Sequence, residues 1–537
     1  MAKWHEVRTD GSAINSAGFD VDSGSLSTDL RTSTGTSTSP IISSNSYSFI
    51  SSDIGYWLYV RTGTNWFPGW YQITGISGTS AVVNAGIGSC VKVGTGSGFA
   101  VTMPFGPALY SGIGNSNSLS SGTWAIDYSQ AATAKTSGTD LIVDAVINSS
   151  TTRVYSPTYI FQNSDLGNSI RIHAGTGWTI GIYYISGIAG TMASITLPGG
   201  MNIRPYAGNA AGVGTVGGSW VLGGATNHPN NTIQAFQDGG VWVKSGSYSS
   251  GLGYSDAQRT FLWGYSNYRG DAPKGDDRPE FTVTRPNQPI ISGSGANIMC
   301  SFAYLRVSAI GLTNTNGFAF SNSRNQVMFC KASFCNIGYN PSNLGLYNEA
   351  YYCVTGFNGG SNYGSVAIGC TTGFNQNGLG SNSSFNIAIG CTTGFTTADT
   401  TVHNCVAHRC QFGFTTGNLG NSYVSCIAST CSIYGFNGAG LHNHRFISCA
   451  DYLSPRYTSL GYVAWETPIA LTQSPFVDPD NFDFELNDLP GGGALLKGVG
   501  GLGQLVGLPL SKAFDDVNVI QSKRQFFTPN MNGGIGG

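Results

Sequence analysis

The most charged stretch of the chain combines acidic and basic side chains. It holds four carboxylates among three basic residues: Asp271, Asp276, Asp277 and Glu280, with Arg269, Lys274 and Arg278. Glycoside hydrolysis needs two carboxylates, about 5–5.5 Å apart for retention or about 6.5–9.5 Å apart for inversion, so these four acids are the candidate catalytic residues. The Gly and Pro content predicts a loop, in which alternating charges more often form a solvated surface or a subunit contact than an active site.

Acidic residues are scarce beyond this loop. Between Phe281 and Ala450 only Glu349 and Asp399 occur, 50 residues apart. In the stacked repeat described below, that separation corresponds to about two and a half turns, or roughly 12 Å along the stacking axis. The distance excludes a carboxylate pair within one chain and leaves open a site shared between subunits.

Three tryptophans are candidates for glycan binding, because a flat indole ring packs well against a sugar face. They are Trp66, Trp70 and Trp178. Trp66 and Trp178 occupy equivalent places in a duplicated segment, so the favoured interpretation for this pair is packing in the core of each copy.

Ten of the twelve cysteines lie between Cys330 and Cys449, and three pairs have the spacing Cys-x4-Cys: Cys330 and Cys335, Cys405 and Cys410, and Cys426 and Cys431. Because they recur at the period of the stack, they predict an interior column of small buried side chains with inert thiols. A zinc site needs four converging ligands and usually a CxxC or CxxH spacing, which is absent. We therefore predict no metal and no cofactor, with metal or disulfide roles as the alternative.

These cysteines belong to a ladder in which a glycine followed by an aromatic residue recurs along the chain. The glycines are Gly317, Gly338, Gly356, Gly373, Gly394, Gly413 and Gly435. Self-similarity at a period of about 20 residues is typical of stacked repeats, and short β-branched and aromatic runs broken by Gly, Asn and Ser are typical of strands and turns. We predict one turn of a right-handed parallel β-helix per repeat, over residues 227–455.

A longer repeat occupies the first part of the chain. Residues 49–76 match residues 161–188 at a constant offset of 112 without a gap. Alternating apolar residues and Gly-rich turns predict an all-β module, present as residues 1–118 and again as 119–226. Asp53 and Asp165 stand at equivalent strand starts, where we expect a bond from the side chain to the backbone of a turn.

The end of the chain does not follow the period of about 20 residues. The alternation of apolar and polar residues from Phe476 to Leu486 predicts a strand. Residues 456–537 are therefore predicted to form a small C-terminal region of strand and irregular structure, followed by an extended tail.

Composition and charge exclude several classes of function. Charged residues make up 10% of the chain and the net charge is −2, whereas an average globular domain has about 25% charged residues. That balance lacks the electrostatic footprint of a nucleic-acid-binding protein. The first residues contain no apolar segment of a secretion signal, and no apolar run approaches the roughly 18 residues of a membrane span. We expect protein or glycan partners, no nucleic acid and no membrane insertion.

Three segments resemble those of a known family. Ser52–Gly55 through Gly69–Ile73, Gly240–Tyr248 and Leu486–Ala494 are similar to segments of the right-handed parallel β-helix virion proteins of tailed bacteriophages, which are tailspike-like or tail-fibre-like. The resemblance runs from about Asp10 to Leu496 and carries no active-site signature. It implies a particle protein that is made in the host cytoplasm without a signal peptide, resides in the virion and is often a homotrimer.

The resemblance also implies a function. The leading hypothesis is a structural, non-enzymatic tail spike or tail fibre for attachment to the host surface, with itself, other virion proteins and host surface glycan as partners. Two alternatives stay open: a polysaccharide depolymerase, hydrolase or lyase, whose active site forms between subunits, and a capsid decoration or head-fibre protein. Spike proteins generally carry a separate particle-binding domain at the N-terminus, whereas here the duplicated module starts almost at once.

Overall fold

The structure, a computed structural model, describes residues 3–20, 27–85, 112–197, 210–230, 239–255, 259–267, 269, 273, 275–283, 290–294, 299–310, 312, 314–321, 326–340, 344–377, 382–398, 400–416, 420–438, 444–457 and 463–497. Its regular structure is nearly all strand, which confirms the all-β prediction. The chain divides into two compact units. Unit 1 comprises Met1–Gly246, Gln258–Pro273 and Asp277–Pro279, and unit 2 comprises Ser247–Ala257, Lys274–Asp276 and Glu280–Gly537. No helix in the described ranges is long and apolar enough to cross a membrane.

The strands of unit 1 are β1 (Lys3–Val7), β2 (Gly18–Asp20), β3 (Ser27–Thr32), β4 (Ile41–Ser43), β5 (Trp57–Thr62), β6 (Gly69–Ser77), β7 (Ser80–Asn84), β8 (Leu119–Asp127), β9 (Thr136–Asn148), β10 (Thr151–Tyr155), β11 (Ser169–Ala174), β12 (Gly181–Ala189), β13 (Met192–Thr196), β14 (Gly218–Leu222), β15 (Gly239–Lys244) and β18 (Arg259–Tyr265). Short 3-10 turns occur in the chain at Ser51–Asp53, Asn163–Asp165, Gly275–Asp277 and Pro479–Asn481.

The duplicated module is a closed six-stranded antiparallel barrel. The strands of the first barrel follow the order β3-β4-β7-β6-β5-β8, and those of the second follow the equivalent order β9-β10-β13-β12-β11-β14. Each barrel closes around its own aromatic core, in which Trp124 and Trp220 are the matching buried residues. Because β8 is the closing strand of the first barrel, that module extends to Asp127 and does not end at residue 118.

The first residues of the chain do not belong to the barrels. β1 pairs antiparallel with β2 and parallel with β15, which in turn pairs parallel with β18. The Trp4 ring stacks on the Trp242 ring, with centroids 5.1 Å apart. A Cβ atom on Gly240 would lie 2.1 Å from the Trp4 ring, so the glycine makes room for this stack. Assignment of residues 3–7 to the first module was therefore wrong.

The strands of unit 2 are β16 (Ser247–Tyr248), β17 (Leu252–Ser255), β19 (Glu280–Phe281), β20 (Ile291–Ser294), β21 (Met299–Ala303), β22 (Arg306–Ser308), β23 (Phe318–Ser321), β24 (Gln326–Met328), β25 (Lys331–Ser333), β26 (Ile337–Asn340), β27 (Leu344–Leu346), β28 (Glu349–Tyr351), β29 (Thr355–Asn358), β30 (Ser361–Tyr363), β31 (Val366–Ile368), β32 (Thr372–Asn377), β33 (Asn382–Ser384), β34 (Ile387–Ile389), β35 (Thr393–Ala398), β36 (Thr401–His403), β37 (Val406–His408), β38 (Phe412–Thr416), β39 (Ser422–Val424), β40 (Ile427–Ser429), β41 (Tyr434–Asn437), β42 (His444–Ile447), β43 (Ala450–Tyr452), β44 (Arg456–Tyr457), β45 (Val463–Glu466), β46 (Ile469–Ala470), β47 (Phe476–Asp478) and β48 (Asp483–Leu486), followed by one helical turn, α1 (Gly493–Leu496).

Within unit 2 the strands stack into three parallel sheets, which confirms the parallel β-helix. Each turn adds one strand to each sheet: sheet I runs from β21 to β45, sheet II from β16 to β46, and sheet III from β17 to β44. The last pairs, β42 with β45 and β43 with β46, carry the stack to Ala470, beyond the expected end at residue 455. The later turns were missed because they lack the glycine–aromatic pair.

The glycine–aromatic ladder is an interior column of rings. Successive rings from Phe318 to Phe436 stack with centroids 4.6–5.0 Å apart. The glycine before each ring lies where the interior is narrowest. A Cβ atom on Gly373, for example, would lie 2.6 Å from the carbonyl oxygen of Gly394 and 3.2 Å from the Cβ atom of Ala388. Glycine therefore recurs in the ladder because a larger residue at these positions would clash with the neighbouring turn.

The corners of each turn have a fixed backbone geometry. Corner residues between sheets I and II, and again between sheets II and III, adopt left-handed φ values, as at Phe329 (52°), Phe334 (58°) and Tyr352 (52°). This conformation reverses the direction of the next side chain, so the residue after each corner points into the core. Where two such corners flank a three-residue strand, the two inward-pointing residues that follow the corners are five positions apart. This arrangement produces the spacing Cys-x4-Cys.

The end of the described chain folds back onto the β-helix. β47 and β48 form an antiparallel hairpin, and Phe482, at φ 62°, completes its turn. The prediction of a single strand from Phe476 to Leu486 was therefore wrong, although both halves are strand. The expected extended tail after Lys497 lies outside the described residues.

Candidate functional site

The predicted acidic loop is only partly described. Asp271 and Lys274 lie outside the described residues, and Asp277 is exposed. In unit 2, Arg306 pairs with Asp276 and, at 2.9 Å, with Glu280. The structure thus brings Asp276 and Glu280 together on one guanidinium, so both carboxylates are paired with the same positive charge.

The same arginine belongs to a charged row on the outer face of sheet II. Glu280, Arg306, Lys331 and Glu349 are consecutive partners in the strand register. Lys331 Nζ lies 4.6 Å from the centroid of the Tyr351 ring, and Tyr351 donates its hydroxyl to Glu349 Oε2 at 3.0 Å. Glu349 is only 2% exposed, and Asp399 lies outside the described residues. The one described acid of the ladder is therefore enclosed by its neighbours.

The three candidate glycan-binding tryptophans are core residues. Trp66 and Trp178 are 4% and 7% exposed, and Trp70 is fully buried. The indole N–H of Trp66 donates to Ser120 O at 3.1 Å and that of Trp178 to Val216 O at 3.2 Å, which are equivalent bonds in the two barrels. The core interpretation of this pair is confirmed, and no described face of the three rings is open to a sugar.

The aspartates of the duplicated module hold turns, as predicted. Asp53 Oδ2 accepts the backbone N–H of Ile50 at 2.9 Å, and Asp165 Oδ2 accepts that of Gln162 at 3.0 Å. In each barrel the same carboxylate also accepts a tyrosine hydroxyl, from Tyr47 or from Tyr159. Both carboxylates are committed to local bonds.

The ten cysteines of the ladder are buried free thiols, as expected from their period. Each directly follows a corner residue, and the thiols at Cys330, Cys335 and Cys405 donate to the carbonyl two residues earlier at 3.2–3.3 Å. Burial raises the pKa of the Cys405 thiol to about 12. Cys405 is therefore a poor nucleophile and a poor metal ligand, and burial of all ten thiols assigns these side chains to the core.

The outer face of sheet III carries a regular array of neutral hydrogen-bonding side chains. Its strands β26, β29, β32, β35, β38 and β41 contain no charged residue. One outward row consists of Asn340, Asn358, Asn375, Thr396, Thr415 and Asn437, and a second contains Thr355, Thr372 and Thr393. We call these two rows the amide–hydroxyl face. Its side chains are half-buried, neutral and repeated once per turn.

Hydrogen bonds order the amide–hydroxyl face. Asn375 Nδ2 donates to Asn358 Oδ1 at 2.9 Å, and the hydroxyls of Thr396 and Thr415 lie 3.2 Å apart. The second row continues into the half-exposed rings of Phe412 and Tyr434, with centroids 6.1 Å apart. Such a surface can donate, accept and pack against rings, but it offers no acid, base or nucleophile for catalysis.

Sequence reasoning missed a buried ionic cluster in unit 1. Arg269, expected in an exposed loop, is fully buried and pairs with Glu6 at 2.9 Å and with Asp127 at 2.8 Å. Arg269 also donates to Ser129 Oγ at 3.0 Å, and the indole N–H of Trp70 donates to Asp127 at 2.9 Å. The Gly and Pro content and the alternating charges of this stretch suggested an exposed position for Arg269, because neither pattern reveals partners that lie 142 and 263 residues away.

A second missed cluster surrounds Lys135, which directly precedes β9. Lys135 Nζ donates to Asp165 Oδ1 at 2.8 Å and to the Tyr128 hydroxyl at 2.7 Å. Burial lowers the pKa of Lys135, and burial together with the Asp165 charge raises the pKa of Tyr159. Asp165 also holds its own turn, so its carboxylate oxygens are already hydrogen-bonded within the protein. The cluster is therefore part of the buried interior and does not form an open active site.

Among the described residues, no group of three or more His, Cys, Asp or Glu side chains is placed to hold a metal ion.

Comparison with known proteins identifies no relative of this chain. No protein-family model matches the chain, and no curated protein matches it.

Proposed function

We propose that this chain is a structural virion protein of a tailed bacteriophage, a tail spike or tail fibre, that attaches the particle to the host surface. The supporting observation is the amide–hydroxyl face, a neutral and regularly spaced hydrogen-bonding surface on a rigid parallel stack. Its side chains match the hydroxyl-rich chemistry of a surface glycan. The segments that resemble tailed-phage virion proteins support the same assignment.

The arrangement of carboxylates supports a binding role over a depolymerase. Asp276 and Glu280 share the Arg306 guanidinium, and Glu349 is enclosed. A depolymerase built on this chain would need carboxylates that meet across a subunit boundary. That alternative is tested by incubating the purified protein with bacterial surface polysaccharide, and new reducing ends or unsaturated uronate would contradict the non-enzymatic assignment.

Attachment through the amide–hydroxyl face is tested by substitution. A fluorescent form of the protein is offered to a panel of bacterial cells and purified surface polysaccharides, and a bound strain is then challenged with a Thr372→Lys, Asn375→Lys variant. The control variant carries Thr401→Lys and Ser422→Lys on the outward row of sheet I. We expect the first variant to lose binding at least tenfold while the control binds normally. Equal binding by both variants would contradict the use of this face.

Particle association is tested by the oligomeric state. We expect an oligomer, a trimer by light scattering, that resists detergent when a sample is not boiled. A monomer that associates with no particle component would contradict the assignment. Electron cryomicroscopy of a virion containing the protein distinguishes a tail position from a capsid decoration or head fibre.

A further inference from the structure

The C-terminal end of unit 2 covers an apolar stripe on the outer face of the β-helix. The stripe is the outward row of sheet II formed by Val366, Ile387, Val406 and Ile427. The cover, which we call the C-terminal clip, is Leu471–Leu496, comprising the β47–β48 hairpin and α1. Phe476, Phe484 and Leu496 of the clip pack in one cluster with the stripe. The stripe is 0–4% exposed, although it lies outside the helix core.

The clip is held mainly by apolar contact. Its ion pair to the sheet joins Arg409 and Asp480 at 2.5 Å, and both side chains are more than half exposed. An exposed pair of this kind contributes little to stability. Packing of the two phenylalanines on sheet II therefore decides whether the clip is docked.

One titratable side chain lies inside this apolar contact. His408 occupies the second outward row of sheet II, after Ile368 and Ile389, and is 2% exposed. Its ring makes edge contacts with Phe484 and Phe476, at centroid distances of 5.5 and 6.5 Å.

Few polar groups face the imidazole. Its Nδ1 lies 3.3 Å from Ser429 Oγ and 3.4 Å from Thr430 Oγ1, whereas its Nε2 is buried without a hydrogen-bond partner among the described residues. The charged groups that act on it are Arg409, its neighbour on sheet II, and Asp480 on the clip. No carboxylate among the described residues bonds the ring, so a proton on His408 would place a cation between two phenylalanines.

We propose that the C-terminal clip is an acid-sensitive cover: protonation of His408 releases Leu471–Leu496 from sheet II and uncovers the apolar stripe. The inference concerns a conformational device of unit 2 and does not depend on the proposed attachment function.

The direction of the effect follows from linkage. Burial, with a smaller contribution from the Arg409 charge, lowers the pKa of His408 to about 4 when the clip is docked, whereas a solvated histidine has a pKa of about 6.5. A depressed histidine pKa favours docking fully above about pH 6.5 and progressively less as the pH falls towards 4. Between pH 7.5 and pH 5.0 the equilibrium constant for opening should rise about 30-fold.

Hydrogen exchange measures the opening directly. The full-length protein is exchanged at pH 7.5 and pH 5.0, and peptides covering Phe476–Leu486 are followed after normalisation to the unfolded peptide. We expect the opening constant to rise about 30-fold in the wild type and less than threefold in His408→Gln. His403→Gln is the matched control, since His403 lies on sheet I, and it should behave as the wild type.

A second variant covers the case in which His408→Gln fails to fold. Arg409→Gln removes the charge that opposes protonation, so the acid-induced rise in opening should become smaller. Equal protection of the clip at both pH values in the wild type would overturn the proposal, as would an unchanged rise in His408→Gln. Simultaneous exchange of peptides from β36 and β39 would also overturn it, because the event would then be unfolding of the stack.

Discussion

Glu6 is the residue whose surroundings are most unlike those of a surface acid. It shares the buried Arg269 guanidinium with Asp127 and accepts the Tyr265 hydroxyl. Two carboxylates face one guanidinium, so a proton on one of them would balance the cluster. Burial raises the pKa of Glu6 to about 7, against the attraction of Arg269.

This pKa makes stability depend on pH in a defined direction. The folded state holds a proton on Glu6 that the unfolded state releases at about pH 4.5, so stability should fall as the pH rises from about 4.5 to about 7. The effect is up to about 3 kcal/mol. Urea unfolding at pH 5 and pH 8 should show it in the wild type and a weaker dependence in Glu6→Gln. Glu466→Gln, at an exposed ion pair, is the control, and parallel pH profiles for the wild type and Glu6→Gln would contradict the assignment.

The glycines of the ladder differ in what limits them. Gly373 is confined by the Gly394 carbonyl and two alanines, whereas Gly390 stands at a corner, at φ 60°, with nothing near its missing Cβ atom. The first is a packing restriction and the second a conformational one.

Gly373→Ala should therefore destabilise unit 2 strongly, by about 3 kcal/mol or more, because a methyl group overpacks the core between backbone atoms. Gly390→Ala is the matched control and should cost about 1–2 kcal/mol, the penalty of a left-handed conformation. Chemical denaturation of both variants measures the difference. Equal losses of stability in the two variants would show that the backbone around Gly373 can move to accommodate a methyl group.

At the scale of the element, each corner of the β-helix creates a backbone donor that needs a partner. The residue after the first corner donates its N–H to a side chain one turn further on: Cys330 N to Asn348 Oδ1 at 3.0 Å, and Ser365 N to Asn386 Oδ1 at 2.8 Å. Asn348 Nδ2 also donates to Val327 O at 2.7 Å. The polar residues in this interior column therefore join successive turns.

Asn348→Ala should remove the hydrogen bonds that Asn348 makes to the preceding turn and leave buried backbone groups without a hydrogen-bond partner. The expected cost is about 1–3 kcal/mol or more, measured by chemical denaturation. Asn358→Ala is the control, because its amide belongs to the half-exposed outer row and water can replace its bonds. A smaller loss for Asn348→Ala than for Asn358→Ala would contradict the interior role.

At the scale of the whole molecule, the cysteine pattern separates this chain from a disulfide-stabilised protein. Ten thiols are free and buried in unit 2, and the remaining two cysteines are Cys90 and Cys300. Stability then comes from repeated packing and backbone pairing, without covalent cross-links between the described cysteines.

Thiol titration of the full-length protein tests whether its cysteines are free. With a thiol-reactive chromogen we expect at most two thiols to react in the native protein and all twelve to react in denaturant. The same counts should be obtained with and without prior reduction. Fewer than ten reactive thiols in denaturant before reduction would reveal disulfides among the ladder cysteines and contradict the interior-column interpretation.

The sequence by itself determined the repeating parts of this protein. The glycine–aromatic ladder, the Cys-x4-Cys pairs and the offset of 112 each mark an environment that recurs, and a recurring environment selects the same residue type at the same interval. The parallel β-helix, the duplicated all-β module and the turn-holding Asp53 and Asp165 could therefore be predicted, whereas closure of each module into a barrel could not.

Only the tertiary structure decided the contacts that occur once. β1 joins the sheet of β15, Arg269 pairs with Glu6 across 263 positions, and the C-terminal clip docks on sheet II. The amide–hydroxyl face also needed the strand register to align its residues on one outer surface. A single contact leaves no period in the sequence, and its energy depends on burial that arises only when distant segments meet, so local patterns could not have located it.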